Sequence, residues 1–227
     1  RTPDVLALAD REVLDALIVP SHASWYAGFA RNRMVLAYTD RSRGADRVTP
    51  ASWRSVILAP GVEVARSDPA HDPMGYRALL LFALAERHYG DRGLAARLAR
   101  SAAARHMRAR SSELVALLEA GEVDFAWTYE SVARAAGLRW LQLPREIDLG
   151  SAGDSSRYAA VSVRVPGRSP RDSVTIHGTP ILYALTIPRA ARHRAAAERF
   201  VAWLLSPPGR SVLRTQGLDA LDAPVVV

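Results

Sequence analysis

Short apolar runs alternate along this chain with segments whose apolar residues recur every three or four positions, which predicts strands alternating with helices. "PDVLALAD" (3 to 10) reads as a strand ending at Asp10, and "REVLDALIV" after it as a helix. "RMVLAYT" (33 to 39) has the composition of a buried strand, and 40 to 48, rich in Arg, Gly and Asp, that of a loop. "TPASWRSVIL" then starts a helix, with Thr49 as N-cap and Pro50 at the first helical position. "VEVARSDP" (62 to 69) is a strand, followed by helices over about 75 to 90 and 92 to 104. "SSELVALLEAG" (111 to 121) has an N-cap serine, helical spacing and a terminating glycine, and "VDFAWTY" (123 to 129) is the next strand.

Beyond the short helix "ESVARAAG", closed by Gly137, come the strand candidates "LRWLQLP" and "YAAVSVRV" (158 to 165). A loop rich in Pro, Gly, Ser and Arg leads to "SVTIHGTPILYALTIP" (173 to 188), and two helices, "RHRAAAERFVAWLLS" and "PPGRSVLRTQG", end the pattern. The alternation predicts an α/β fold with a largely parallel sheet. Crossings between two lobes are expected near 60–66 and 174–184, around Gly178 and Pro180. One lobe would then hold 1–61 and 180–227 and the other 62–179.

With 227 residues, 49% of them hydrophobic, the chain can build substantial cores. Its longest helical apolar run, "ALLLFALA" (78 to 85), is soon followed by Glu86 and Arg87 and falls short of a membrane helix. No signal or lipid anchor is expected in this stretch, which begins at Arg1 without a charged-then-apolar leader. The net charge of +7 raises nucleic acid as a partner, but all 30 basic residues are Arg and they interleave with Asp and Glu. That dispersal reads as a compositional bias, so no nucleic-acid partner is expected unless a DNA-binding domain lies upstream. Zero Cys excludes disulfides, thiolate metal sites and cysteine nucleophiles while leaving the compartment open.

The candidate chemistry begins in "SDPAHDPMGYRALLLFALAERHYG" (67 to 90). A strand ends near Ser67, polar breakers turn the chain, and a helix begins near Met74 or Gly75. A helix start offers unpaired backbone N–H groups and the positive end of the macrodipole, both suited to an anion, and Gly75 would let a ligand approach closely. The same residues also make an ordinary helix start, with Asp72 as N-cap and Pro73 at the first helical position. In "FAWTYESVA" (125 to 133) a buried strand runs into Thr128, Tyr129, Glu130 and Ser131. Strand ends in open α/β sheets line ligand crevices; alternatively Tyr129 caps the core and Ser131 caps the next helix. No GxSxG, P-loop or GxGxxG occurs, and the chain is not expected to be an enzyme. A weaker enzymatic reading would use Asp72 and Glu130.

Taken in order, "TPDVLALAD", "WYAGFARNRMVLAYTD", "SDPAHDPMGYR", "ELVALLEAGEVDFAWTYESVA", "LQLPREIDLG", "GTPILYALTIP" and "FVAWLLSPPGRSVLRTQG" carry a resemblance that runs through the chain. It resembles the molybdate/tungstate-binding proteins of ABC transporters, the archaeal-type tungstate-binding branch of the type II periplasmic solute-binding proteins. The resemblance implies two α/β lobes closing on one tetrahedral oxyanion, molybdate or tungstate, that a membrane permease then receives. It implies no cofactor, a monomer, and a periplasmic or extracellular location beside the transporter. Uncharged donors at helix starts hold the anion in that family, with a carboxylate from "DPxGYR" approaching the metal atom. These roles carry over onto Asp72 and the backbone of Met74 and Gly75, with Thr128 and Tyr129 as further ligand contacts and Glu130 and Tyr76 as lesser candidates. No free metal cation is implied.

The sequence departs from the family pattern in two places. Some relatives have a glutamate before the tyrosine that matches Tyr129, where this chain has Thr128. The family also begins with a strand and two donor-bearing helix starts, so the first lobe here is expected to lack its N-terminal strands and helix. A related binding lobe joined to a DNA-binding domain would act as an oxyanion sensor, which is the alternative function.

Overall fold

The computed structural model describes residues 2–9, 11–166 and 172–227. Asp10, the expected end of the first strand, and most of the loop rich in Pro, Gly, Ser and Arg lie outside the described residues. The chain divides into two units, one of Arg1–Asn32 with Ile181–Val227 and one of Arg33–Pro180.

The first unit opens with β1 (Leu6–Leu8) and α1 (Arg11–Val13), which continues as a π-helical turn over Leu14–Ile18, and then β2 (Ala27–Arg31). The second unit follows with β3 (Met34–Tyr38), α2 (Trp53–Ile57), β4 (Val64–Ser67), α3 (Pro73–Tyr89) and α4 (Leu94–Ser101). It continues through β5 (Met107–Arg108), α5 (Ser111–Ala120), β6 (Phe125–Tyr129), α6 (Glu130–Ala135) and β7 (Arg139–Gln142). α7 (Ser155–Ala159), β8 (Ser162–Pro166) and β9 (Ser173–His177) complete it. The chain then returns to the first unit with β10 (Leu182–Thr186), α8 (Arg194–Leu205), α9 (Pro207–Thr215) and β11 (Asp219–Val226).

The first unit's sheet has the order β1-β10-β2-β11, with every pairing antiparallel. Its core joins Phe29 and Leu185 of the strands to Ala197 and Val201 of α8 and Leu213 of α9. The second unit's sheet has the order β5-β4-β6-β3-β7, and β8 and β9 form a separate antiparallel pair. Within it β4 runs parallel to β5 and β6, whereas β3 runs antiparallel to β6 and β7. The expected largely parallel sheet is therefore corrected to mixed and mainly antiparallel pairing. Period-two and buried-strand patterns mark strands but not their direction, and β3 lies antiparallel to both of its neighbours.

The division of the chain also differs from the expected one. Residues 33–61 belong to the second unit because β3 pairs with β6 along its whole length, Met34 opposite Tyr129 and Tyr38 opposite Phe125. The segment near 62, expected to cross between lobes, is interior to that unit, where Val64 lies opposite Phe125. The crossings fall at Asn32/Arg33 and at Pro180/Ile181. β2 and β11 escape the sequence pattern because Ala27, Gly28 and Ala30 carry little apolar signal and Asp219, Asp222 and Pro224 interrupt the other run. The expected strand at 158 begins only at Ser162, after α7.

α3 is the element that orders the second unit. Its apolar positions bury Met74, Ala78, Leu81, Phe82 and Ala85, an i, i+4, i+7, i+8 and i+11 face, and Gly90 in the left-handed region (φ 63°) closes it. Phe82 meets Trp127 of β6 edge-on at 5.1 Å between ring centroids, and Trp53 of α2 meets the same indole at 5.7 Å. α3 and β6 are thus fixed against one another by aromatic packing, and the candidate site lies at their ends.

Candidate functional site

Between Ser67 and Pro73 the chain is wound by its own carboxylates. Asp68 accepts from the Ala70 amide at 2.9 Å and lies 3.1 Å from His71 Nδ1, and its carbonyl accepts from the amides of His71 and Asp72. The Ala70 amide holds the Asp68 carboxyl below its ordinary range, with His71 and Arg66 adding to the effect. Asp72 is extended (φ −134°, ψ 127°), and its Oδ1 accepts from the Met74 amide at 2.9 Å. The buried Ser67 hydroxyl donates to its Oδ2 at 3.1 Å. Asp72 is therefore the N-cap of α3, with Pro73 at the first helical position.

This geometry alters what the sequence suggested for the helix start. The Met74 and Gly75 amides, implied as ligand donors, both turn to Asp72: Met74 to the side chain and Gly75 to the carbonyl at 2.8 Å. A Cβ on Gly75 would lie 2.5 Å from the carbonyl carbon of Asp68 and 2.5 Å from the Pro69 nitrogen. The glycine admits the protein's own loop across the first turn. Met74 is fully buried in the core, and Tyr76, half-buried, has its ring 5.8 Å from the guanidinium carbon of Arg77.

The second part of the site is the end of β6. Tyr129 is 6% exposed, and its hydroxyl oxygen accepts from Nη1 of Arg77, itself 4% exposed, at 2.6 Å. Thr128 lies opposite Val35 of β3, and its buried Oγ1 has no hydrogen-bond partner among the described residues. Glu130 is the first residue of α6, with its amide on the Arg33 carbonyl and its carboxylate 3.1 Å from Arg33 Nε and 3.0 Å from Arg134 Nη2. Two guanidiniums thus pair with the Glu130 carboxylate. Ser131 lies inside α6 rather than capping it.

The structure brings together Asp72, Met74 and Gly75 at one helix start and Thr128 and Tyr129 at one strand end, and Arg77 ties the two elements. Sequence reasoning missed Ser67 and Arg77, although both stand in the stretch it singled out. Their spacing marked neither, because α3 is packed on more than one face and an arginine on such a helix reads as solvated. It also missed Asp148, 3% exposed, whose Oδ1 accepts from the Gly150 amide at 2.8 Å and from the Tyr158 hydroxyl at 3.3 Å. Burial pushes the Asp148 carboxyl up to about 6. The only signal for it is a carboxylate set between the apolar Ile147 and Leu149. Among the described residues no three His, Asp or Glu side chains converge as a cation site.

The profile of the bacterial extracellular solute-binding protein family matches residues 1–219. An uncharacterized solute-binding protein of Petrotoga mobilis is 37% identical over 224 residues, covering 99% of this chain and 70% of the relative. The molybdate/tungstate-binding protein WtpA of Pyrococcus abyssi is 30% identical over 243 residues, covering 98% of this chain and 70% of the relative. Among solved structures, the periplasmic molybdate-binding protein of Azotobacter vinelandii shares the fold with a TM-score of 0.61. That match has 14% identity and covers 95% of this chain and 77% of the other.

Proposed function

The chain belongs to the bacterial extracellular solute-binding protein family, and we propose that it captures molybdate or tungstate and delivers it to an ABC permease. The family binds and hands over solutes and is not one of enzymes. The choice of ligand is supported by the likeness to a protein named for molybdate and tungstate. The observation that carries it is the contact joining α3 to the Tyr129 end of β6, with the buried Arg77 guanidinium on the tyrosine hydroxyl and Asp72 at the start of the same helix.

A tetrahedral dianion is recognised by donors aimed at its oxygens, and a helix start adds favourable potential. Tyr129 supplies a hydroxyl in this reading, and the first turn of α3 supplies the Met74 amide; Thr128, next to Tyr129 on the paired strand, faces the other side of the sheet. For Met74 to serve the ligand its amide must leave Asp72 Oδ1, so capture is coupled to release of the cap. Asp72 then approaches the metal atom as the lone carboxylate of this set. Molybdate and tungstate are larger than sulfate, and donors fixed by packing discriminate them by distance. The site of action is extracellular or periplasmic beside the transporter, as a monomer. No observation favours the sensor reading.

Isothermal titration of the intact protein with molybdate, tungstate, sulfate and phosphate tests this function. Binding of a metal oxyanion with sulfate and phosphate weaker is the expected result. Absence of binding heat with both molybdate and tungstate, at temperatures chosen to expose a finite enthalpy, would overturn it.

A further inference from the structure

Resting on that reading, we infer that His106 is a positioning residue: its uncharged ring seats β5 against β4, β5 holds the loop that caps α3, and oxyanion capture is therefore acid-sensitive. His106 ends a 3₁₀ turn, Ala104–His106, that feeds directly into β5. β5 is a two-residue strand at the edge of its sheet, paired with β4 through Arg66 opposite Met107 and Ser67 opposite Arg108. A ladder that short opens readily unless side chains anchor its ends.

The anchor before β5 is the buried imidazole. His106 is 6% exposed, and its Nδ1 lies 3.3 Å from Glu63 Oε2 with no hydrogen-bond partner among the described residues. Arg105 Nη2 holds the other Glu63 oxygen at 2.8 Å, and Glu63 leads straight into β4 at Val64. After β5, the Arg108 carbonyl accepts from the Asp68 amide at 2.8 Å, and the Asp68 carbonyl accepts from the amides of His71 and Asp72. His106 is thus joined to the N-cap of α3 by a short run of backbone and hydrogen bonds, all within the second unit.

A charge on His106 breaks this seat. Burial disfavours the imidazolium and Arg105 and Arg108 repel it, while Glu63 and Glu122 attract it without reversing the balance, so the seated ring takes up a proton less readily than an ordinary histidine. An opened turn regains the ordinary value of 6.5. The seated turn is therefore fully favoured above about pH 6.5 and loses ground as pH falls below it, by at most about tenfold per pH unit for one proton. His71, 3.1 Å from Asp68 Oδ2 in the loop itself, pairs more strongly when charged and opposes the effect.

The test is molybdate titration of the intact protein at about pH 7.5 and about pH 5.5, with the anion kept micromolar, on the wild type, His106→Leu and His71→Gln. Amide exchange read by mass spectrometry at both pH values, corrected for its intrinsic pH dependence, follows residues 67–73 and 104–108. In the wild type, molybdate binding weakens roughly threefold to tenfold at the lower pH and both segments lose protection together. His106→Leu keeps the site filled and cannot titrate, so it removes the pH dependence of both readouts, whereas His71→Gln steepens it. A wild type that binds no metal oxyanion at either pH overturns the proposed function, and the exchange readout still decides the inference. Wild-type binding and protection that are equal at both pH values, or an unaltered pH dependence in His106→Leu, overturn the inference alone. Should His106→Leu fail to fold, His106→Gln takes its place with the same expected flattening, and wild-type protection of residues 104–108 that survives the lower pH ends the inference by itself.

Discussion

At the scale of single residues, a substitution separates the cap that Asp72 makes from the ligand role proposed for it. As N-cap it satisfies the Met74 amide, and loss of such a cap costs about 1 kcal/mol of stability. Asp72→Ala is expected to cost that much in thermal or chemical unfolding and to weaken oxyanion binding by roughly tenfold or more, beyond what the cap explains. Unchanged affinity with lowered stability would return Asp72 to capping alone. Asp148 gives a prediction with a sign. Its carboxyl is raised from 3.8 to about 6, chiefly by burial, with the Gly150 amide, Arg33 and the Tyr158 hydroxyl opposing and Asp154 adding to the rise. The folded protein therefore holds this proton more tightly than the unfolded chain. The resulting stability is fully present below about pH 4 and is lost as pH rises through about 6, on the order of 3 kcal/mol at most. Asp148→Asn should remove this component, so the variant gains on the wild type between pH 4 and 7 in urea unfolding. Parallel pH profiles for the two proteins would refute the assignment.

At the scale of elements, the start of α3 is locked by the loop before it. Gly75 lets the Asp68–Pro69 backbone cross the first helical turn, and a methyl there would meet two backbone atoms at 2.5 Å. Gly75→Ala is expected to cost roughly 1 to 3 kcal/mol, the range for overpacking in a tight contact. It should also lower oxyanion affinity, because the Met74 amide moves with the loop. Chemical denaturation and titration of the same variant check both parts; a neutral substitution would mean that the loop is not seated on the helix. α3 itself was legible in the sequence, from Asp72-Pro73 through its apolar face to Gly90. The β6 to α6 junction was legible only in part. The strand and the helix were both expected, but whether Glu130 ended one or began the other depended on Arg33 and Arg134, which the pattern of β6 does not contain.

At the scale of the whole molecule, a ligand that binds only the folded protein must stabilise it. Molybdate or tungstate at about a hundred times its dissociation constant should add about 2.7 kcal/mol, read as a rise in the thermal midpoint. Sulfate at the same concentration should raise it less, and a midpoint indifferent to both metal oxyanions would count against the proposed function. The sequence by itself determined the α/β class, most helices and strands, the absence of a long apolar helix and the family. These follow from local periodicity, capping residues and ordered motifs, which are properties of neighbours along the chain. Only the tertiary structure decided strand direction, where the chain passes from one unit to the other, and which polar groups face one another. β3 is antiparallel to β6 although 86 positions of sequence and several helices separate Tyr38 from Phe125, and Arg77 meets Tyr129 across 52 positions. The donor or acceptor character of a hydroxyl, and the proton affinity of a carboxyl such as Asp148, are set by what packing brings within a few ångströms. No periodicity encodes that, because the partners lie far apart in the chain and are chosen by the fold.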